Sequence, residues 1–112
     1  EKRGAEMEIY KVSEVGIYGE EVKPKFYKLL DDAQQEFHKV MKKLQEELSV
    51  VKDPEDVMNG EKPVWIKNSE DSIFPSDVLL EGVINYWYKC SHEHDEWDVT
   101  FTTVIIEKIE VL

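Results

Sequence analysis

The strongest periodic pattern in the chain lies between Pro24 and Leu48. Proline is well tolerated in the first turn of a helix, so the pattern predicts an α-helix of roughly 25 residues that begins at Pro24. The opposite positions are mostly charged, so the helix is expected to be amphipathic and to need a flat apolar cover. The apolar residues recur at steps of three and four and share one helix face: Phe26, Leu30, Ala33, Phe37, Val40, Leu44 and Leu48.

Segments rich in β-branched and aromatic residues predict strands on both sides of this helix. The stretch 6–18 indicates one strand or two short ones, and Val64 to Ile66 indicates another. From Trp97 onward, apolar residues occupy the odd positions, which predicts a half-buried strand with its odd face packed inward. The polar run 91–96 separates this strand from the apolar segment 78–90, so the C-terminal third is expected to form a long hairpin.

The order of these segments predicts an α+β domain. One long amphipathic helix should pack across an antiparallel sheet of four to five strands that ends in a long C-terminal hairpin. The length of 112 residues favours a single domain over 1–112. Met7 is an alternative natural start, which would make residues 1–6 a disordered or added extension.

The charge of the chain bears on its partners. There are 25 acidic residues against 14 basic ones, a formal net charge of -11. Such a field repels phosphate backbones and attracts basic protein surfaces, so a protein partner is expected rather than nucleic acid. No apolar run is long enough for a membrane span, so a cytoplasmic, membrane-free protein is expected. Lysine and isoleucine are frequent and Arg3 is the only arginine, which favours a bacterial or phage origin with a low-GC genome.

Candidate chemistry in the sequence is sparse. Cys90, His92 and His94 alternate near the predicted hairpin tip and are residue types that ligate zinc. Structural zinc sites usually draw ligands from two separate segments, so a hydrated tip without metal is the preferred interpretation. The paired carboxylates suit solvated faces better than an acid/base site. The expectation is therefore a protein that is not an enzyme and has no cofactor.

Binding features are more prominent than catalytic ones. Trp87 lies between two tyrosines on the predicted strand, and at least one of three consecutive aromatic rings must leave the core face unless a second layer covers it. The predicted partner-binding residues are Glu20, Glu21, Asp31, Asp32, Trp87, Asp95 and Glu96.

These residues suggest an acidic inhibitor or regulator of the immunity-protein, antitoxin or phage-inhibitor type, which covers a basic surface of its partner. The alternative is a small structural or accessory protein that self-associates through a sheet edge as a homo-oligomer. A small-ligand-binding domain is the third hypothesis.

Overall fold

One six-stranded antiparallel sheet organises the computed structural model, which describes residues 7–57, 62–68, 77–91 and 93–111. The strands run in the order β2-β1-β6-β5-β3, and β4 also pairs with β5. In chain order the elements are β1 (Met7–Val15), β2 (Glu21–Tyr27), α1 (Leu30–Glu47), β3 (Ser49–Val50), a 3-10 turn (Pro54–Asp56), β4 (Val64–Asn68), β5 (Val78–Ser91) and β6 (Glu96–Val111). The predicted α+β class and the long C-terminal strands are confirmed, while the expected count of four to five strands is wrong.

The helix begins later than the sequence pattern predicts. Pro24 and Phe26 lie in β2, whose backbone pairs with β1, and α1 starts only at Leu30 and has 18 residues. Three residues before Phe26, where the predicted stripe begins, the backbone of Lys23 takes a φ of 54°, a left-handed conformation that starts no helix. The register between Val12 and Glu14 shifts opposite this point, so β2 carries an extra residue there. Pairing in the sheet therefore outweighs the helical periodicity of this segment.

The main core lies between α1 and one face of the sheet, which we call the front face. Ala33 and Phe37 are fully buried on the helix, and Met41 is nearly so. They pack against the even-numbered residues Val104 and Ile106 of β6 and their neighbours Val12 and Ile84. The prediction that the odd face of β6 packs inward is wrong for this core, because the even face meets the helix.

The back face of the sheet has a smaller apolar cluster. Val15, Val78 and Ile105 form it, and Thr103 and Glu81 are buried on the same side. Strands β1, β5 and β6 therefore each have buried residues on both faces of the sheet.

Two short strands share one edge of β5. Ser49 and Val50 pair with Trp87 and Tyr86, while β4 pairs with residues 80–84. Asn85 joins the two segments, because its backbone N–H and its side-chain Nδ2 both donate to the carbonyl of Pro63 at 2.8 and 3.0 Å. Its own carbonyl accepts from Val51 at 3.0 Å. This edge of β5 is thus covered as far as Trp87.

Some sequence predictions fall elsewhere. Residues 1–6, for which the sequence suggests a disordered or added extension, lie outside the described residues. Residues Pro54–Asp56 form the 3-10 turn, and Asp53 caps it by accepting from Glu55 N at 3.0 Å. In the described part of the chain, α1 does not have the length and apolar character that crossing a membrane requires.

Candidate functional site

The C-terminal hairpin extends beyond the rest of the sheet. The last pair between β1 and β6 is Val15 with Thr103, and the last pair between β4 and β5 is Val64 with Ile84. Past these points β5 and β6 continue to pair with each other as far as Ser91 and Glu96. We call residues 87–91 and 93–102 the arm. It contributes to the elongated shape of the molecule, which measures 64 × 25 × 23 Å.

Apolar side chains line the back face of the arm. Trp87 lies directly opposite Val99, and Trp97 and Phe101 occupy the alternate positions next to Val99 on β6. Trp97 is 51% exposed and Phe101 40%, while Trp87 and Val99 are half-buried. We call these residues the aromatic face. The sequence pattern places Trp97 and Phe101 inside the protein, and this is wrong because α1 packs on the other side of the sheet.

The tip of the arm fixes the orientation of Trp97. Asp95 Oδ1 accepts a hydrogen bond from Trp97 Nε1 at 3.3 Å and lies 3.1 Å from Lys89 Nζ. Lys89 is directly opposite Trp97, with its ammonium 6.0 Å from the centre of the ring. Asp95 has a φ of 54°, a conformation that aspartate tolerates better than most residues. The Asp95 carboxylate therefore holds an exposed indole in one place.

Replacing Asp95 by glycine should release the Trp97 indole, since glycine keeps the left-handed backbone but has no acceptor. The indole N–H resonance of Trp97 is expected to shift towards the solvent-exposed range in a ¹⁵N–¹H spectrum, while the loss in stability stays below about 1 kcal/mol. Glu93→Gln changes the charge at the same turn without touching the indole and serves as control. An unchanged Trp97 resonance in Asp95→Gly would contradict this role.

The arm also has exposed carboxylates, at its tip and on its front face. Glu93, Asp95 and Glu96 are exposed at the tip, and Asp98 is exposed on the front side of β6. Trp87 also lines an open groove of about 640 Å³ beside β3, together with Leu48, Val51, Asp53 and Asp56. The predicted residues Trp87, Asp95 and Glu96 thus belong to one part of the molecule, where apolar rings and acidic groups lie side by side.

The remaining predicted residues lie elsewhere. Glu20 and Glu21 are at the turn between β1 and β2, while Asp31 and Asp32 are in the first turn of α1, after the opposite end of β2. The seven residues of β2 span about 23 Å. The predicted acidic residues therefore form separate groups and not one surface.

Glu21 is engaged within the protein. Its Oε2 lies 2.7 Å from Lys11 Nζ and accepts from Ser13 Oγ at 3.2 Å. The hydrogen bond with Glu21 raises the pKa of Lys11 above its usual 10.5, and Glu107, at 3.1 Å, acts in the same direction. This carboxylate is bound to its own sheet and is less available to a partner than Glu20.

A second groove has a different character. About 180 Å³ in volume, it lies between α1 and strands β1 and β2, and its lining includes Lys23, Lys25, Lys39 and Lys43. Lys25 pairs with Glu36 at 3.1 Å, and the hydrogen bond raises the pKa of Lys25. The same lining includes Glu14, Glu36 and Glu47, so the groove is mixed in charge and has no acidic surface for a basic partner.

The tip has no metal-binding geometry among the residues that the structure describes. Cys90 is exposed and its Sγ donates to the Glu96 carbonyl at 3.4 Å, while His94 Nε2 lies 3.9 Å from Glu93 Oε2. No group of three or more histidine, cysteine, aspartate or glutamate side chains converges there or elsewhere in the described ranges. His92, the other candidate ligand, lies outside the described residues.

Trp97, Val99 and Phe101 are the residues of the arm that sequence reasoning missed as surface candidates. The relative lengths of the helix and the strand indicate their exposure. An 18-residue helix spans about 27 Å, whereas the 16 residues of β6 span about 53 Å, so one helix cannot cover the whole strand. Neither a protein-family model, a curated protein nor a solved structure matches this chain. The arm is therefore the feature of this chain from which a function can be inferred.

Proposed function

We propose that the protein is an acidic binding protein that inhibits or regulates a partner by covering a basic surface, and that the arm is its docking surface. The observation that carries this proposal is the exposed aromatic face with carboxylates beside it. Tryptophan, tyrosine and arginine are the residues that most often dominate binding energy at interfaces, and they do so where a polar rim excludes water. The proposal assigns binding rather than catalysis to the chain.

The charge of the arm favours a basic partner. Glu93 is exposed at the tip, and Glu96 and Asp98 are exposed on the front face of the same arm, in a protein with a net charge of -11. Asp53 and Asp56 add negative charge to the groove beside Trp87. Opposite fields steer two proteins together, whereas the apolar rings supply most of the affinity after contact. Acidic groups and aromatic anchors on the arm therefore have complementary roles.

Binding of a purified partner tests the proposal. A partner captured from the source organism on the immobilised protein is identified by mass spectrometry, purified and measured by surface plasmon resonance. Trp87→Ala should weaken binding by at least about 30-fold, as for an interface hot spot. Val22→Ala, at an exposed apolar position on β2, is the control and should change little.

Charge reversal separates the arm from the other acidic groups. Glu93→Lys with Glu96→Lys should slow association strongly, and raising the salt concentration should slow it too as the screening length falls to about 8–10 Å. Asp31→Lys with Asp32→Lys changes the net charge equally at the start of α1, and should act more weakly. The tip pair should leave the melting temperature nearly unchanged, since its carboxylates are exposed. The helix pair should lower it modestly, because it places two cations in the first turn of α1, where the helix dipole favours negative charge. The proposal would be rejected if the association rate and the affinity for the partner changed neither with salt concentration nor with any of these substitutions.

A second candidate function is self-association through a sheet edge, and one observation favours it. In the described ranges, residues 96–102 of β6 pair with β5 on one side and with no strand on the other. An open strand edge is a template for another chain. This edge is distinct from the aromatic face, so the two candidate functions are compatible.

A further inference from the structure

We infer that two copies of the chain pair through the open edge of β6 in one antiparallel register, with Val99 of each copy on the two-fold axis. The inference rests on the second candidate function and specifies its interface. It is independent of the basic partner, because edge pairing leaves the aromatic face uncovered.

The free edge has fixed limits. It begins at Glu96, where the tip turn ends, and it ends at Thr102, because Thr103 already pairs with Val15 of β1. Val99 is the midpoint of this segment. A second copy in antiparallel orientation therefore matches the edge along its whole length only when the two Val99 residues are opposite each other.

The side chains agree with this register. Trp97 then lies opposite Phe101 of the other copy, which makes an aromatic cross-strand pair on the back face. On the front face Asp98 meets Thr100 and Glu96 meets Thr102, so no two carboxylates are directly opposite. The patterns of both faces are thus self-complementary.

The neighbouring registers are worse. In an antiparallel pair, residues directly opposite each other have their side chains on the same face of the sheet. The two-fold axis can therefore pass through Val99 or through a neighbouring residue, but not between two residues. Centred on Asp98, the pairing places two carboxylates against each other and leaves Phe101 and Thr102 beyond the partner's strand. Centred on Thr100, it places Trp97 opposite Thr103, whose pairing side β1 occupies. Only the Val99 register avoids both faults.

Backbone N–H and carbonyl groups along residues 96–102 point away from β5 at every second residue. Asn85, which lies opposite Phe101, directs its backbone N–H and carbonyl to Pro63 and Val51, so the backbone groups of Phe101 point away from β5. Val99 N–H donates to Asp98 Oδ1 at 2.8 Å. Residues 97, 99 and 101 share this outward direction because strand residues alternate. The Val99 register would satisfy their donors and acceptors with about six hydrogen bonds between the copies. The Asp98 carboxylate occupies the N–H of Val99, which lies on the two-fold axis. It must release this N–H before the second copy can bind there, so we call Asp98 a cover of the edge.

Sedimentation equilibrium of the full chain tests the inference first. The wild type should form dimers that tighten as salt rises, because each copy has a charge of -11 and repels the other. This is opposite to the salt response of a basic partner. Val99→Lys should raise the dimer dissociation constant by at least about tenfold, since it brings two ammonium groups together on the axis. Val111→Lys, an exposed position on the same face of the same strand, is the control.

Asp98→Thr should act in the opposite direction and tighten the dimer, because it frees the central amide. Asp31→Thr removes the same charge from the start of α1 and measures how much of that gain is due to net charge alone. A dimer that tightens equally in both variants would overturn the proposed role of Asp98 as a cover.

Cross-linking fixes the register. In a Cys90→Ser background, Val99→Cys should form an intermolecular disulfide under mild oxidation, since opposite strand residues lie within the Cα distance that a disulfide bridges. Thr102→Cys should not, because the two copies of this residue are about 20 Å apart in the register. Dimers that survive Val99→Lys and do not cross-link through Val99→Cys would overturn the register but leave self-association standing. A wild type that stays monomeric at every concentration and salt would overturn both.

Discussion

Phe37→Ala should lower the free energy of unfolding by about 3–5 kcal/mol, the range for removing a buried phenylalanine ring. The side chain is completely buried at the centre of the main core, between α1 and the front face of the sheet. A loss of this size approaches the whole stability of an ordinary small domain. Urea denaturation followed by circular dichroism measures it, with the midpoint and the slope reported separately.

Phe26→Ala provides the matched control. The sequence pattern places Phe26 on the same helix stripe as Phe37, but the structure places it on β2 with 56% of its surface exposed. We expect it to cost less than about 1 kcal/mol, as for most surface substitutions. Similar losses in both variants would mean that the helix does extend to Phe26, and would contradict the observed start of α1.

The helix shows what a periodic pattern can and cannot predict. Steps of three and four place Ala33, Phe37 and Val40 on one face, and the first two are fully buried as expected. Phe26 continues the same steps by coincidence. The helix does not begin before Leu30 because the preceding residues, in β2, pair with β1 instead. Pairing between two strands does not show in the periodicity of one segment.

The parity of β6 is a second instructive case. Alternation predicts a strand, and the strand is present from Glu96 to Val111. It does not say which face meets the helix, because β6 has apolar residues at all odd positions except Thr103 and Glu107, and at even positions only in its centre. Val104 and Ile106 decide the matter, since they are the even apolar residues and both are completely buried. A short apolar segment on the even face was thus a stronger indicator of the core than the longer odd series.

The candidate site was predictable only in part. Trp87 and the acidic tip stand out in the sequence, and the structure places them on one arm. The groups at Glu21 and Asp31 stand out equally, yet they lie at opposite ends of β2. Composition measures how much charge a chain has, whereas the distribution of that charge over a surface depends on the order of the strands.

The arm combines features that isolated monomers usually avoid. Proteins protect open strand edges with charges, bulges or covering segments. Here Asp98 covers one amide of the edge, and a bulge interrupts β5 between Lys89 and Ser91. Neither device removes the exposed rings of Trp97 and Phe101. This combination of a lightly protected edge and an apolar face is the physical reason to expect that the arm acts in association.

Gly82→Val should destabilise the protein by about 1–3 kcal/mol, the usual cost of overpacking a core. Gly82 lies on β5 directly beneath α1, and a Cβ atom there would be 2.7 Å from Met41 Sδ and 2.9 Å from Phe37 Cζ. Valine is otherwise the better strand residue, so strand propensity alone predicts a gain in stability. The sign of the change therefore tells whether close helix packing or propensity governs this position.

A double-mutant cycle identifies the contact responsible. Met41→Ala removes both the Sδ and Cε atoms near Gly82, so the valine should cost less in that background than in the wild type. The cost of the valine should fall only in part, because the Phe37 ring would still lie close to it. Leu29→Ala, a truncation at the exposed residue before the helix, should leave the cost of the valine unchanged. A stabilised Gly82→Val variant, or strictly additive effects with Met41→Ala, would mean that the helix does not approach the sheet this closely at Gly82.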